Sequence, residues 1–92
     1  MSRTVRRYCV SLDGLTDVRL TGDPLAVAAR DDSAVVEFWA EHDTGAPETV
    51  RTFIIVGTGQ PIPDSAVYVG TAPRTRYGLV WHLFELTEGG RP

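Results

Sequence analysis

The stretch TVRTFIIVGTGQPIPDSAVYVGT, residues 49–71, contains two strand-like segments separated by a loop rich in glycine and proline. The first segment is mostly β-branched and aromatic, as expected for a buried strand. In the loop, flexible glycines are followed by prolines that fix the backbone in an extended form. The loop is therefore either a stiff connection between strands or an anion-binding turn, and the composition leaves both interpretations open.

The rest of the chain shows the two-residue periodicity of strands, and no segment carries the 3.6-residue period of an amphipathic helix. We predict one domain over residues 1–92, with an ordered core at 4–87 and a C-terminal tail at 88–92. The expected fold is mainly β: a small antiparallel β-sandwich or partly open barrel of five to six strands. Strand-like segments fall at residues 4–12, 17–20, 25–30, 34–42, 49–56, 66–71 and 77–86, with a hairpin bend at 31–33.

The last segment, YGLVWHLFEL, is apolar on both of its faces. Because side chains alternate along a strand, Trp81 and Leu83 point to one side, and His82 and Phe84 point to the other. A strand of this kind is expected at the centre of a two-layer structure, or with its second face covered by another subunit.

The net charge of −3 argues against general binding of nucleic acid. All nine basic residues are arginine, which has two explanations: a GC-rich genome, or recognition of phosphate or carboxylate groups by guanidinium. The single Cys9 suits a reducing compartment, and no apolar run reaches the length of a membrane span. We therefore expect a soluble cytoplasmic protein that does not contact a membrane.

The sequence lacks the common catalytic and metal-binding patterns, so we expect no enzyme, no cofactor and no metal site. The serines lack the glycine flanks of a nucleophile elbow, and His42 and His82 lie far apart without a clear third metal ligand. Glu37 and Glu41 fit a solvated strand face.

Trp39 and His82 each have two interpretations. Trp39 lies between these glutamates on a face expected to be wet, as an interface or ligand platform or as a rim residue packed on a loop. His82 is either a ligand-binding residue or a core histidine with satisfied hydrogen bonds.

The loop GTGQ is not a Walker loop, because that motif requires a lysine and this chain has none. Consecutive backbone N–H groups around Gly57, Thr58 and Gly59 can still form a concave site for an anion. The prolines that follow would hold such a site in place. The alternative remains a rigid connection between two strands.

Several short motifs resemble a family of small uncharacterised bacteriophage proteins, a phage domain of unknown function. The resemblance covers most of residues 5–86 and implies a phage accessory protein that acts in the cytoplasm of a host bacterium. The matching residues are Tyr8, Phe38-Trp39-Ala40, Gly57-Thr58-Gly59, Pro61-Ile62-Pro63, Gly70-Thr71 and Val80-Trp81-His82-Leu83-Phe84.

This resemblance implies an anti-defence role. The expected function is that of a sponge, a homo-oligomer that binds and sequesters a phosphorylated nucleotide immune signal, of the cyclic dinucleotide or cyclic ADP-ribose type, without catalysis. The alternative is a protein–protein inhibitor of host defence, or a structural phage accessory protein, with an exposed acidic patch at Asp31, Asp32, Glu37 and Glu41. The candidate ligand-binding residues are Trp39, Arg51, Gly57, Thr58, Gly59, Gln60, Arg74, Arg76, Tyr77, Trp81 and His82.

Overall fold

A computed structural model of the protein describes residues 2–30, 34–73 and 78–87. The prediction of a mainly β fold is confirmed. No helix in these ranges is long and apolar enough to cross a membrane. The expected bend at 31–33 and the expected tail at 88–92 lie outside the described residues. The strands are β1 (Arg3–Ser11), β2 (Leu15–Leu20), β3 (Pro24–Ala29), β4 (Val35–Asp43), β5 (Thr49–Gly57), β6 (Ala66–Thr71) and β7 (Trp81–Leu86).

The strands form two sheets, with the orders β1-β4-β3 and β2-β5-β7-β6, and all hydrogen-bonded neighbours are antiparallel. The sheets do not close into a barrel, so the sandwich prediction is confirmed. The expected count of five to six strands was too low, since the described residues form seven. The segment expected at 17–20 starts at Leu15 because its whole length pairs with β5.

The core lies between the two sheets and is centred on Phe38. The ring of Phe38 stacks on Tyr8 at 5.2 Å and contacts Phe53 at 5.1 Å between centroids. Val36, Phe38 and Ala40 all point inward from β4, as the two-residue period predicts, and all are fully buried.

The last strand, β7, lies between β5 and β6, which confirms that a strand apolar on both faces is central. Leu83 points into the core and is fully buried, whereas Phe84 points to the opposite face and is also nearly buried. The strand begins at Trp81 instead of residue 77, because Gly78 has a positive φ that a strand does not accommodate. Tyr77 itself lies outside the described residues.

The loop between β5 and β6 is a crossover that runs the height of the four-stranded sheet. β5 and β6 are both antiparallel to β7 and therefore parallel to each other. β5 ends opposite Trp81, while β6 starts opposite Leu86, at the other end of β7. Residues 58–65, the crossover segment, make this passage over the outer face of the sheet, the face turned away from the three-stranded sheet. Ile62 lies there beside Val56 and Phe84. The extended geometry that Pro61 and Pro63 impose suits this passage.

Candidate functional site

A tight turn at residues 57–60 leads from the end of β5 into the crossover segment. The N–H of Gln60 donates to the carbonyl of Gly57 at 3.0 Å, and the Gln60 side-chain oxygen accepts from the Gly57 N–H at 2.7 Å. Gly59 has a φ of +90°, and no non-glycine residue in the described ranges has a positive φ. This pattern is that of a type II turn, with Thr58 at its second position and Gly59 at its third.

A cleft of about 390 Å³ lies between this turn and the residues that lead into β7. Gly57 pairs with Trp81 across the two strands, and a Cβ on Gly57 would lie only 3.1 Å from the Trp81 ring. Glycine at 57 therefore allows the indole to lie directly against the turn. The residues that line the cleft are Gly57, Thr58, Gln60, Gly78, Leu79, Val80 and Trp81. The structure thus brings four of the candidate residues together at this cleft: Gly57, Thr58, Gln60 and Trp81.

Gly59→Ala is expected to lower the free energy of unfolding by about 1–2 kcal/mol, because an L-residue other than glycine is strained at positive φ. An added Cβ at this position would contact nothing within 4 Å, so the loss would come from the backbone alone. Chemical denaturation with urea measures the change. Gly59→Asn is the matched control and should lose less, because asparagine tolerates left-handed conformations. An equal loss in both variants would contradict a purely conformational effect.

His82 belongs to a chain of hydrogen bonds on the outer face. Its Nε2 lies 2.9 Å from the Thr58 hydroxyl and its Nδ1 lies 3.0 Å from the Thr71 hydroxyl, which in turn is 2.6 Å from the Tyr68 hydroxyl. Both ring nitrogens of His82 therefore have partners. The chain ties the turn to β7 and β6, so His82 holds the turn from outside and does not line the cleft. It does line a second cavity of about 240 Å³ beneath Ile62.

Arg51 is engaged elsewhere in the fold. Its guanidinium donates to both carboxylate oxygens of Glu85, at 2.8 and 2.7 Å, and to Asp23 at 2.8 Å. These bonds, first of all those to Glu85, raise the pKa of Arg51 above its ordinary value. Arg51 lies six residues before Gly57 on the same strand, about 20 Å away. Within one chain, the length of the strand therefore separates Arg51 from the turn.

Trp39 also lies away from the turn. It is half-buried on β4, on the outer face of the three-stranded sheet, between Arg7 of β1 and Ala26 of β3. The prediction that it occupies an outward face is met, but that face belongs to the other sheet. Trp39 and Trp81 therefore do not line one site.

The expectation of an exposed acidic patch is wrong for Glu37, which lies on β4. This side chain is buried, with 7% of its surface exposed, and Arg7 and Arg30 approach its carboxylate to 3.5 and 3.9 Å. Glu41 is partly exposed and forms an ion pair with Arg3 at 2.6 Å. Arginines thus neutralise the acidic side chains of this face. Asp31 and Asp32 lie outside the described residues.

The candidates Arg74, Arg76 and Tyr77 fall outside the described residues, between Pro73 and the cleft-lining Gly78. The two histidines lie on different sheets: His42 on β4 and His82 on β7. Within the described ranges, no group of three potential metal ligands comes together. His42 Nδ1 is buried and has no hydrogen-bond partner among the described residues.

Sequence reasoning missed Leu79 and Val80 as cleft residues, and Thr71 and Tyr68 as partners of His82. The sequence pattern predicts a strand at Leu79 and Val80. Such a pattern does not show which distant loop a residue will contact in the folded chain. Thr71 and Tyr68 have hydroxyl groups that suit a histidine, but the pairing of β6 with β7 that brings them to His82 is not visible in the sequence.

Comparison with known proteins places this geometry in a family. The sequence matches the family described as Domain of unknown function (DUF7352) over residues 1–91, and the chain belongs to this family. Neither the curated proteins nor the solved structures contain a significant match to it.

Proposed function

We propose that this member of the DUF7352 family binds a phosphorylated nucleotide without converting it, and sequesters it as an immune signal. The observation that carries the proposal is the cleft in which the turn at residues 57–60 meets Trp81. We propose further that it acts in the cytoplasm of a phage-infected bacterium, and this part of the proposal rests on the resemblance of its motifs to those of small phage proteins. The signal would be of the cyclic dinucleotide or cyclic ADP-ribose type.

The chemistry of the cleft supports binding in two ways. Its volume of about 390 Å³ falls within the range of small-molecule sites. The N–H groups of Gly57 and Gln60 donate within the turn, so the N–H groups of Thr58 and Gly59 are the ones the turn can offer to a phosphate. The Thr58 hydroxyl would have to exchange its bond to His82 for one to the ligand. The indole of Trp81 offers a surface on which a base can stack.

The same lining supports binding over catalysis. The described side chains around the cleft are uncharged, and none of them titrates near neutral pH. General acid–base catalysis requires a positioned titratable group near the reacting atoms. The proposed role therefore consists of holding the ligand.

A thermal-shift screen against cyclic dinucleotides, cyclic ADP-ribose isomers, ADP-ribose and NAD tests the proposal. A ligand at one hundred times its dissociation constant is expected to add about 2.7 kcal/mol to the free energy of unfolding. Such a gain gives a clear rise in Tm for a domain of this size. A flat response to the whole panel would refute nucleotide binding.

Two substitutions at one position then locate the phosphate. Proline is favoured at the second position of a type II turn, so Thr58→Pro should keep the turn while removing an N–H group and a hydroxyl. Thr58→Val is the matched control, since it removes the hydroxyl and keeps the N–H group. Loss of binding in Thr58→Pro alone indicates a backbone contact. Unchanged binding in both variants would place the ligand elsewhere.

A further inference from the structure

The outer face of the four-stranded sheet carries an apolar row that crosses all four strands. The strand registers align four residues in one row across the sheet, from β2 through β5 and β7 to β6: Leu15, Ile54, Phe84 and Tyr68. Leu15 is 59% exposed and Tyr68 is 57% exposed, at the two ends of the row. Phe84, in the middle of the row, is only 9% exposed, so the open apolar surface of this face lies at Leu15, at Tyr68 and at Ile62 of the crossover segment. Large exposed apolar side chains grouped on one face indicate an interaction surface.

The crossover segment divides this face into a raised part and a lower part. Residues 58–65 pass over the β7 side, where Ile62 lies beside Phe84 and is itself 54% exposed. On the β2 side, Leu15 lies open beside the partly buried Ile54. The face is therefore raised on the β7 side, where Ile62 is exposed, and lower at the β2 edge, where Leu15 is exposed. We call the raised part the ridge and the lower part, at Leu15 and Ile54, the groove.

We propose that this face is the interface of a two-fold symmetric homodimer, in which the ridge of each copy packs into the groove of the other. A two-fold axis parallel to the strands turns the apolar row onto itself. It sets Leu15 against Tyr68 of the second copy and brings Ile62 over Ile54 of the second copy. A self-complementary surface of this kind is what an isologous dimer requires.

Charges at the margins of the face follow the same symmetry. Arg19 lies on β2, and Asp64 lies just before β6, at the same end of the sheet but on its opposite margin. Both are exposed, and neither forms an ion pair with another described residue. The same axis brings Arg19 of one copy to Asp64 of the other, twice in the dimer. This pairing selects a second copy of the chain as the occupant of the face.

The area of this face indicates how strongly two copies are expected to associate. Four strands about 4.8 Å apart and about six residues long cover on the order of 400 Å² per copy, without the extra area of protruding side chains. The two copies together would bury about 800 Å², below the standard size of specific interfaces and in the range of weak, transient ones, so we expect a micromolar dissociation constant.

Sedimentation velocity over a concentration series from low to high micromolar tests the dimer. The mass is expected to rise from 10.1 kDa towards twice that value. Ile62→Asp and Leu15→Glu should each keep the protein monomeric. Val5→Glu is the matched control, because Val5 is 62% exposed on the outer face of the other sheet and should leave association unchanged. Ile62 lies in a loop, so its variant remains informative if Leu15→Glu does not fold.

Charge reversal gives the sharper test. Arg19→Asp and Asp64→Arg should each weaken dimerisation by about tenfold, since each places like charges together twice in the dimer. The double variant should restore it, because both pairs are re-formed with opposite polarity. A protein that stays monomeric throughout the series overturns the proposal. So does association that Val5→Glu abolishes, or a double variant that remains as weak as the single ones.

Discussion

Phe38→Ala is expected to lower the free energy of unfolding by about 3–5 kcal/mol, the range for truncating a fully buried phenylalanine. Phe38 is fully buried and contacts the rings of both Tyr8 and Phe53. These contacts join β1, β4 and β5, so the cavity would open between the two sheets. Equilibrium denaturation in urea, followed by tryptophan fluorescence, measures the loss.

The control for this substitution is Leu25→Ala. Leu25 lies at the irregular start of β3 and is exposed, so its truncation should change stability by less than about 0.5 kcal/mol. Similar losses in both variants would show that Phe38 does not lie at the centre of the core. A domain this small has limited stability, so unfolding of Phe38→Ala at room temperature also agrees with the prediction.

Glu85→Gln is expected to lower the free energy of unfolding by about 1–3 kcal/mol, less than for a fully buried pair because solvent reaches both partners. The carboxylate accepts two hydrogen bonds from Arg51, and about a fifth of each side chain is exposed. An amide cannot accept both bonds and carries no charge to balance the guanidinium. Asp23 remains near Arg51 and limits the loss. Thermal and urea denaturation measure it.

Glu41→Gln is the matched control, because its ion pair with Arg3 is largely exposed and should be worth less than about 1 kcal/mol. The pH dependence gives a second readout. A raised pKa on a cation contributes stability that is complete below the ordinary arginine pKa and is lost only above it. Titration of Arg51 should therefore leave stability flat between neutral and mildly alkaline pH. A larger loss in Glu41→Gln than in Glu85→Gln would contradict this assignment.

The local structure of this protein follows from its sequence, because alternation of side chains is a property of neighbouring residues. The positions of β4 and β5 and the central place of β7 were all predictable in this way. The order of the strands was not, because it depends on which distant segments pair. The crossover between parallel β5 and β6 is the clearest case, since nothing in GTGQPIPDS specifies that a later strand will lie beneath it.

The candidate site was predictable for the same reason only in part. The turn and Trp81 were each recognisable, and they meet because Gly57 and Trp81 occupy the same register position. Arg51 was grouped with them by residue type, but six residues of extended strand place it about 20 Å from Gly57. Trp39 lies away from the turn because β4 belongs to the other sheet, and the periodicity of a sequence does not show which sheet a strand joins.

The strand order also has a consequence for how the chain is made. β7 is the last of the described strands to be synthesised, yet it lies between β5 and β6 and under the segment that joins them. Until the ribosome has released residues 81–86, β5 lacks one neighbour and β6 has none in its sheet. Until then the nascent chain exposes unpaired strand edges, and an incomplete β-sheet of this kind is prone to aggregate. Folding of the four-stranded sheet is therefore completed only when β7 inserts between β5 and β6.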